Sequence, residues 1–380
     1  MFNLKQYFLL DPSVTYLNHG SFGATPKPVF KAYQRWQREL ENQPVEFLGR
    51  QHDDLMRSSR EALAKYLGTS AENLVYAQNV TIALNIVARS LELGAGDEVL
   101  STDHEYGALD RTWRFLAKER GFVYINQPVD LASQAALVES FWGAVTTRTR
   151  VVFLSHITSP TATIFPVEEI IQRARAKGII TIIDGAHVPG QLPLQLDALG
   201  ADFYGGNLHK WLCAPKGVGF LYARPEVQHL LKPLVVSWGY ESETPSGSTF
   251  IDQHEWWGTR DLAAFLSVPA AIEFQEQHDW VKVRSDCHQL AIETWGRINA
   301  LTGLTPLHRS AEGWFAQMTV SPLPAQTDML AFKKRLYDEY RIEIPLIDWH
   351  GHKLIRLSVQ GYNTRRDMNG LLNALKKLLA

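Results

Sequence analysis

The feature of this 380-residue chain that most constrains its fold is an alternation of short apolar runs with longer amphipathic stretches, from about residue 55 to about residue 225. The runs are rich in Val, Ile or aromatic residues and are bounded by Gly, Asp, Asn or Ser, as the buried strands of parallel sheets are. Seven runs fit this description: Leu74–Tyr76, Glu98–Leu100, Phe122–Ile125, Val151–Leu154, Ile179–Ile183, Asp202–Tyr204 and Val218–Tyr222. The alternation predicts an α/β domain, with a mostly parallel central sheet flanked by helices.

The amphipathic stretches between the runs predict the flanking helices. The stretch Val167–Lys177 is preceded by Pro166 and followed by Gly178, which are typical signals for the start and the end of a helix. Asp53–Leu67 and Gly107–Glu119 have the same amphipathic character and are also predicted to be helical.

The pattern changes beyond about Leu262, where longer helical stretches are accompanied by two apolar strands at Phe315–Val320 and Leu354–Val359. This change predicts a smaller α+β C-terminal domain. We therefore assign residues 20–262 to a large domain, and residues 1–19 plus 263–380 to a small one. Near the junction, Ser237–Gly258 is rich in Ser, Thr, Glu and Gly, and predicts a long loop.

The composition excludes several classes of partner. Lys and Arg total 38 against 40 acidic residues, so the net charge of −2 provides no long-range attraction for nucleic acid or for an acidic membrane surface. The two cysteines, Cys213 and Cys287, are too few for a disulfide framework and suit a reducing compartment. The N-terminus lacks the apolar run of a signal peptide, and no apolar stretch has the roughly 20 residues of a membrane-spanning helix. We expect a cytoplasmic protein whose partner is a small molecule.

Polar residues follow the carboxyl ends of five of the predicted strands. They are Gln78–Thr81, Asp103–Tyr106, Ser155 with His156, Asp184–His187 and Gly205–Lys210. Because ligands of open α/β sheets bind beyond the carboxyl ends of the strands, these segments are expected to meet in one crevice.

Two residues of this crevice, Asp184 and Lys210, point to a cofactor. Asp184 follows a run of β-branched residues, so its buried carboxylate needs a cationic or hydrogen-bond-donating partner; a protonated pyridine nitrogen is one, and a helix N-cap is the alternative. In an apolar pocket the amine of Lys210 would have the lowered pKa that imine formation requires, although a lysine taken alone is usually a surface charge. Lys216 is a poorer candidate, because it begins the turn before the next strand.

Other residues of the crevice allow two interpretations each. Asn79–Thr81 at a helix start offers N–H groups and a hydroxyl to an anion, although an N-cap would explain Asn79 equally well. Tyr106 could stack on a flat ring and His187 could donate to its phenolic oxygen, or both could be packing residues. Arg356 could bind a substrate carboxylate through two hydrogen bonds, or be a structural ion-pair partner.

The order of these parts resembles the fold type I pyridoxal 5′-phosphate (PLP) enzymes of the class V aminotransferase family. The shared pattern is an aspartate-x-x-histidine motif, here Asp184–His187, with a His-Lys pair beginning 25 residues after the aspartate. The segments Tyr16–Pro26 and Ser155–Pro160, the latter with Pro166, resemble the isopenicillin N epimerase-like branch of this family. The resemblance extends over almost the whole chain and implies a fold type I PLP-transferase fold.

The resemblance implies roles for four catalytic residues. Lys210 would hold PLP as an internal aldimine and afterwards shuttle the Cα proton of the substrate. Asp184 would pair with the pyridine nitrogen, Tyr106 would stack on the face of the ring, and His187 would contact the phenolic oxygen.

The resemblance also implies contacts to the phosphate and to the substrate. The residues that match phosphate-contacting positions are Val80, Thr81, His209 and Thr259, and Asn79, at the start of the predicted helix, is also assigned to cofactor binding. Thr259 would reach the phosphate from a neighbouring subunit, which implies a homodimer with its active sites at the interface. The residues predicted to contact the substrate are Asn18, His19, His156 and Arg356, of which Arg356 would hold the α-carboxylate.

The sequence departs from the related cysteine desulfurases at one segment. Those enzymes carry a nucleophilic cysteine on a loop shortly before the substrate arginine, whereas Ile347–His352 contains none. Cysteine desulfurase chemistry is therefore not expected. Trp349, His350 and His352 could shape a substrate pocket, although a solvated turn explains them better.

We therefore predict a PLP-dependent enzyme that acts at the Cα or Cβ of an amino acid through an external aldimine and a quinonoid carbanion. Epimerisation or racemisation, transamination and C–S lysis share these first steps, so the motifs do not separate the three reactions. Epimerisation would need an acid on the second face of the substrate, for which His19 and Tyr106 are the candidates.

Two other functions compete with this prediction. A metal-dependent hydrolase could use the strand-end residues His104, Glu105, Asp184, His187 and His209, although the sequence contains no HExxH motif. A catalytically silent protein with the PLP-enzyme fold is the other, and the presence of both Lys210 and Asp184 disfavours it.

Overall fold

The structure is a computed structural model that describes residues 4–379. Residues 1–3 and 380, which the sequence analysis assigned to the small domain, lie outside the described residues. Within this range no helix is both long and apolar enough to cross a lipid bilayer.

The described residues form the following elements. The strands are β1 (Thr15–Tyr16), β2 (Leu74–Ala77), β3 (Glu98–Thr102), β4 (Val123–Gln127), β5 (Thr149–Ser155), β6 (Ile180–Asp184), β7 (Phe203–Asn207), β8 (Gly219–Ala223), β9 (Met318–Pro322), β10 (Ile342–Glu343), β11 (Leu346–Trp349) and β12 (His352–Ser358). The α-helices are α1 (His19–Phe22), α2 (Lys27–Asn42), α3 (Pro44–Gly49), α4 (His52–Leu67), α5 (Val80–Ser90), α6 (Gly107–Arg120), α7 (Gln134–Trp142), α8 (Val167–Ala176), α9 (Leu196–Leu199), α10 (Thr249–Glu255), α11 (Ala263–Leu266), α12 (Val268–Gln277), α13 (Trp280–Thr302), α14 (Met329–Tyr340) and α15 (Arg365–Leu378).

The seven predicted apolar runs form the strands of one seven-stranded sheet in the order β2-β8-β7-β6-β5-β3-β4. Strands β3 to β7 pair in parallel, and β8 runs antiparallel to both of its neighbours. The prediction of a mostly parallel central sheet is confirmed.

Apolar side chains leave both faces of this sheet. Ile182 and Phe203 point into a core formed with α5 and α6, whereas Ile183 and Tyr204 point into the core formed with α4 and α8. Because successive side chains of a strand alternate between faces, continuous apolar runs are what a sheet covered on both sides requires.

The C-terminal part contains a separate antiparallel sheet in the order β11-β12-β9. Near the N-terminus, β1 pairs in parallel with β10, so Thr15 and Tyr16 lie beside the C-terminal part of the chain. Strand β11 was not predicted as a strand. The turn between β11 and β12 is formed by His350 and Gly351, which have φ values of 49° and 81°, as a tight two-residue hairpin turn requires.

The prediction of a long loop over Ser237–Gly258 is wrong for Thr249–Glu255, which form helix α10. The side chain of Ser248 accepts a hydrogen bond from the N–H of Ile251 at 3.3 Å and so caps the helix. Phe250 and Ile251 are buried. The polar composition of the flanking residues concealed a short helix that is stabilised by these buried contacts.

Candidate active site

A cavity of about 810 Å³ lies at the carboxyl ends of β5, β6 and β7. Eight of the predicted site residues line it: Asn79, Val80, Thr81, Tyr106, Asp184, His187, His209 and Lys210. The sheet thus brings together residues from segments that are far apart in the sequence, as parallel strands with helical crossovers do.

Asp184 is the last residue of β6, where it pairs with Ser155 of β5 and Gly205 of β7. Its side chain is 2% exposed, and Oδ1 accepts a hydrogen bond from the N–H of Ala186 at 2.8 Å. Burial raises the pKa of Asp184 to about 6, while the Ala186 hydrogen bond and the charge of Lys210 oppose the rise. A positively charged partner would stabilise the charged carboxylate.

Lys210 lies just after β7, in the irregular segment that precedes β8. Burial lowers the pKa of its amine from 10.5 to about 8, the charge of Asp184 opposes this effect, and the charge of Arg356 adds to it. A larger fraction of this amine is therefore neutral and nucleophilic near neutral pH than of an ordinary lysine.

His187 contacts Lys210 directly, because its Nε2 lies 3.2 Å from Nζ of the lysine. The imidazole is 2% exposed, and its Nδ1 accepts a hydrogen bond from Nε1 of Trp211 at 3.2 Å. Burial is the main cause that lowers the pKa of His187 well below 6.5, and the charge of Lys210 adds to it. The ring is therefore neutral.

The N-terminus of α5 provides hydrogen-bond donors at one end of the cavity. Asn79 is its N-cap and accepts from the N–H of Ile82 at 3.0 Å, and the N–H of Val80 donates to Oδ1 of Asn207 at 2.9 Å. Among the described residues, neither of these bonds involves the N–H or the hydroxyl of Thr81. Both groups could therefore donate hydrogen bonds to an anion in the cavity. Asn79 is therefore an N-cap that also lines the cavity, and its contact with an anion remains a prediction.

His209 and Lys216 also line the cavity. Nδ1 of His209 lies 3.0 Å from the carbonyl oxygen of Val218, and because a carbonyl only accepts, this nitrogen carries the proton. Burial lowers the pKa of His209 to about 4, so the ring is neutral and its Nε2 carries no proton. A bound phosphate would favour the protonated ring, and Nε2 could then donate a hydrogen bond to it. Nζ of Lys216 donates to the carbonyl of Gly23 at 3.2 Å, and it adds a positive charge that the sequence analysis had set aside.

Tyr106 stands at the start of α6 and is 40% exposed, which is high for an aromatic residue that lines a cavity. Its side chain is therefore accessible to a molecule bound in the cavity.

Arg356 lies on β12 and is 4% exposed. Its Nη1 donates to the carbonyl of Ser159 at 2.6 Å and lies 3.2 Å from the hydroxyl of the same residue, while Nη2 donates to the hydroxyl of Ser21 at 2.9 Å. Its Nε has no hydrogen-bond partner among the described residues. Burial lowers the pKa of Arg356 to about 10.

Ser21 and Ser159 line the cavity and connect it to Arg356. Neither was predicted as a site residue, although both lie within the two segments that carry the family resemblance. Their serine hydroxyls, within segments that resemble the family, were the feature of the sequence that could have identified Ser21 and Ser159.

None of the four predicted substrate contacts, Asn18, His19, His156 and Arg356, is among the residues that line the cavity in the described structure. His19 is fully buried behind Lys210, with Nε2 3.0 Å from the lysine carbonyl and Nδ1 2.9 Å from the hydroxyl of Tyr362. Asn18 donates to Glu343 at 3.1 Å. His156 is 3.1 Å from the hydroxyl of Tyr204. Their side chains bind protein groups instead of facing the cavity.

Thr259 is exposed and does not line the cavity of this single chain, whereas its neighbours Arg260 and Asp261 do. Trp349, His350 and His352 lie on the hairpin of β11 and β12, which the sequence offered as part of a substrate pocket. Nε1 of Trp349 donates to the carbonyl of Asp103 at 2.9 Å. His350 and His352 are exposed.

Glu105 is a buried acid beneath the cavity that the sequence analysis considered only as a metal ligand. Its carboxylate accepts hydrogen bonds from the N–H and the hydroxyl of Ser155, at 2.9 and 2.6 Å, and from the hydroxyl of Thr102 at 2.7 Å. Burial raises the pKa of Glu105 to about 8 despite these donors.

The donors proposed for a hydrolytic metal centre are occupied by protein groups or lie apart. Nδ1 of His104 is 2.8 Å from the hydroxyl of Thr161, Glu105 is held by Ser155, and His209 is bound to Val218. Within residues 4–379, no three His, Cys, Asp or Glu side chains come together in a metal-binding arrangement.

The chemistry of the cavity fits PLP. Thr81 and Lys216 offer N–H, O–H and ammonium donors to a phosphate. The Lys210 amine, with a lowered pKa, lies beside the neutral imidazole of His187, and Asp184 offers a buried carboxylate to a ring N–H. A group that carries a phosphate, an aldehyde and a basic ring nitrogen satisfies all three.

Comparison with known proteins agrees with this reading of the cavity. The sequence model of the Aminotransferase class-V family matches residues 15–371. The chain is 40% identical to an isopenicillin N epimerase of Amycolatopsis lactamdurans, over 99% of this chain and 98% of that protein. It is 30% identical to a putative L-cysteine desulfhydrase of Oryza sativa subsp. japonica, over 97% of this chain and 84% of that protein.

Among solved structures, the chain is similar to a C-DES variant that carries glycine covalently linked to its PLP cofactor. The TM-score is 0.86 at 25% sequence identity, and the similarity covers 98% of each chain. The fold of the whole chain is therefore that of a fold type I PLP enzyme.

Proposed function

This chain belongs to the class-V aminotransferase family, and on that premise we propose that it is a PLP-dependent enzyme that epimerises or racemises an amino-acid-like substrate at Cα. The observation that carries the proposal is the position of Lys210, whose amine faces the cavity beside Asp184 and 3.2 Å from His187. PLP, when bound, supplies an electron sink that stabilises negative charge at the Cα of an amino acid joined to it.

Lys210 is the proposed base for the Cα proton. Its amine has a pKa of about 8, so near neutral pH it can both accept and return a proton. Asp184, at the end of β6, would keep the ring nitrogen of PLP protonated, because a buried carboxylate stabilises a neighbouring cation. His187 would hold the phenolic oxygen.

Arg356 is the proposed carboxylate anchor. Its planar guanidinium donates to Ser21 and Ser159, and these two serines line the cavity although Arg356 itself does not. A substrate α-carboxylate that replaced the serine oxygens as acceptor would make a bidentate contact, which would fix its orientation and direct its Cα–H bond toward Lys210.

Tyr106 is the proposed acid that returns a proton to the second face of Cα. Of the two candidates from the sequence, His19 has both ring nitrogens engaged behind Lys210, whereas Tyr106 lines the cavity and is 40% exposed. The similarity to an isopenicillin N epimerase, which covers 99% of this chain and 98% of that protein, supports this choice of reaction.

β-Elimination from a sulfur-containing amino acid is the second candidate function. The similarity to a putative L-cysteine desulfhydrase favours it. Both cysteines of this chain, Cys213 and Cys287, are buried and free, and burial raises the pKa of each thiol. Neither is placed to accept sulfur from a substrate, so a desulfurase that passes sulfur to its own cysteine is not part of the proposal.

We also propose that the active enzyme is a homodimer in which Thr259 contacts the phosphate in the site of its partner. The exposure of Thr259, beside cavity-lining Arg260 and Asp261, supports this proposal.

The experiment that tests the proposed reaction uses the PLP-loaded protein and a panel of single-enantiomer amino acids in D₂O. Epimerisation predicts deuterium at Cα together with loss of optical purity, and the Tyr106→Phe variant should exchange the proton while the configuration is retained. Release of sulfide or another β-substituent with a keto acid would support the lyase instead. Keto acid formation that depends on a second amino acceptor would indicate transamination, and both of the last two outcomes would overturn epimerisation.

A further inference from the structure

A buried tryptophan lies behind the residues that contact the reactive lysine. Trp211 follows Lys210 in the chain and is 0% exposed. Its indole Nε1 lies 3.2 Å from Nδ1 of His187, and Nε2 of His187 lies 3.2 Å from Nζ of Lys210. The three side chains form one continuous series of hydrogen bonds.

The direction of this series is fixed at the tryptophan end. An indole N–H is only a donor, so Nδ1 of His187 is the acceptor and carries no proton. A neutral imidazole then carries its single proton on Nε2. Burial, which lowers the pKa of His187 well below 6.5, keeps the ring in this neutral form.

We propose that Trp211 is a positioning residue that fixes the Nε2–H tautomer of His187, and thereby presents a hydrogen-bond donor to the amine of Lys210. The proposal rests on the proposed function, because Lys210 matters only as the reactive lysine. A neutral amine has a lone pair that can accept this proton, whereas an ammonium group can only donate. The Nε2–H tautomer therefore stabilises the neutral, nucleophilic form of Lys210.

The opposite tautomer would have the opposite effect. With the proton on Nδ1, the lone pair of Nε2 would accept from the ammonium form of Lys210 and favour its charged state. In the PLP-loaded enzyme the Nε2–H of His187 would remain a hydrogen-bond donor. A phenolate oxygen only accepts hydrogen bonds, so the Nε2–H tautomer would suit a contact with the phenolic oxygen of PLP. A phenylalanine at position 211 would lack the N–H that selects between the two tautomers.

Other charges also act on this pair. The carboxylate of Asp184 raises the pKa of Lys210 and Arg356 lowers it, in addition to burial. Arg356, His209 and His19 lower the pKa of His187. All of these groups remain in a Trp211→Phe variant, so a change in that variant reports the loss of the indole N–H.

The test uses the full chain freed of PLP, with two readouts that do not depend on activity. The first is the ¹⁵N chemical shift of the two ring nitrogens of His187, assigned with a His187→Gln variant. The second is the pKa of Lys210, obtained from the pH dependence of trace acetylation of the peptide that contains it. The control variant is Trp280→Phe, which loses a buried indole N–H bond to the carbonyl of Gly190, 2.8 Å long, and leaves Trp211 intact.

In the wild type and in Trp280→Phe, the proton should reside on Nε2 of His187. In Trp211→Phe, a mixture with the Nδ1–H tautomer should appear, and the pKa of Lys210 should rise by about one unit, roughly the effect of one hydrogen bond. A proton on Nδ1 in the wild type would overturn the proposal without any variant, as would a Trp211→Phe protein that matches Trp280→Phe in both readouts. Borohydride reduction shows separately whether PLP attaches to Lys210. A failure of the proposed PLP-dependent function is therefore distinguishable from a failure of the proposed role of Trp211.

Discussion

A Cβ atom on Gly23 would lie 1.9 Å from the backbone oxygen of His209 and 2.9 Å from Cα of Lys210. Gly23 has φ of 69° and ψ of 174°, a conformation that residues with a side chain rarely adopt, and it ends helix α1. The N-terminal segment therefore packs directly against the backbone that carries the reactive lysine, and only glycine fits at this contact.

We expect Gly23→Ala to lose more stability than a positive φ alone explains, and to bind PLP poorly because the backbone of His209 and Lys210 must shift. The control is Gly178→Ala, which also has a positive φ of 67° but no atom within 4 Å of the added Cβ. The control should cost about 1–2 kcal/mol and leave PLP affinity unchanged. Denaturant unfolding and PLP titration measure both effects, and equal behaviour of the two variants would contradict the packing argument.

The lowered pKa of Lys210 predicts a pH-dependent stability of the PLP-free protein. The folded pKa is about 8 against an ordinary 10.5, so between these values the unfolded chain binds more protons, and stability should rise as pH increases through this window. The contribution of this one group should be on the order of 1–3 kcal/mol. A Lys210→Met variant removes the titrating amine, so the wild type should gain stability relative to it between pH 8 and 10.5. Parallel pH profiles of the two proteins would contradict the buried position of the amine.

Arg356 should discriminate substrates by their carboxylate. Arg356→Lys keeps the positive charge but loses the planar pair of donors, so KM for an amino acid should rise by roughly 10–100-fold. An amine that matches the substrate but lacks the carboxylate should be bound equally by both proteins. Arg173→Lys, in an exposed ion pair with Glu139 and Glu169, is the matched control and should leave KM unchanged. An equal loss for the amine and the amino acid would argue against carboxylate binding.

The proposed contact of Thr259 with the phosphate in the partner subunit's site can be tested with mixed dimers. Lys210→Ala and Thr259→Ala should each be defective alone. In a mixed dimer, one site would receive both substitutions and the other neither, so the mixture should regain activity toward half of the wild-type level. Purified mixed dimers with separate affinity tags provide the measurement. No recovery, in a mixture shown to contain mixed dimers, would place Thr259 outside the partner's site.

The sequence predicted the central sheet well, because seven apolar runs bounded by turn residues leave few alternatives for a chain of this length. It did not predict strand β11 or helix α10. The polar composition of Ile347–His352 resembles a turn, and only pairing with β12 makes its first part extended. Helix α10 is stabilised by burial of Phe250 and Ile251, which a local pattern does not reveal. The division at residue 262 and the cytoplasmic location remain predictions.

The candidate site was predictable where a residue lies at a strand end or just after one, as Asp184 and Lys210 do. It was not predictable where the partner comes from a distant segment. The contacts of Ser21 and Ser159 with Arg356, and the position of His19 behind Lys210, depend on how the N-terminal segment packs against β12 and the cofactor lysine. Only the folded chain specifies such contacts.

The most direct test of the account is whether PLP attaches covalently to Lys210. The purified protein is incubated with PLP, reduced with borohydride and digested, and the modified lysine is identified by mass spectrometry, with Lys210→Ala as the control. We predict a visible absorbance band that borohydride abolishes, with the label on the peptide that contains Lys210 and on no equivalent peptide of the variant. A label on Lys216, or a protein that neither binds PLP nor becomes labelled, would contradict the central claim.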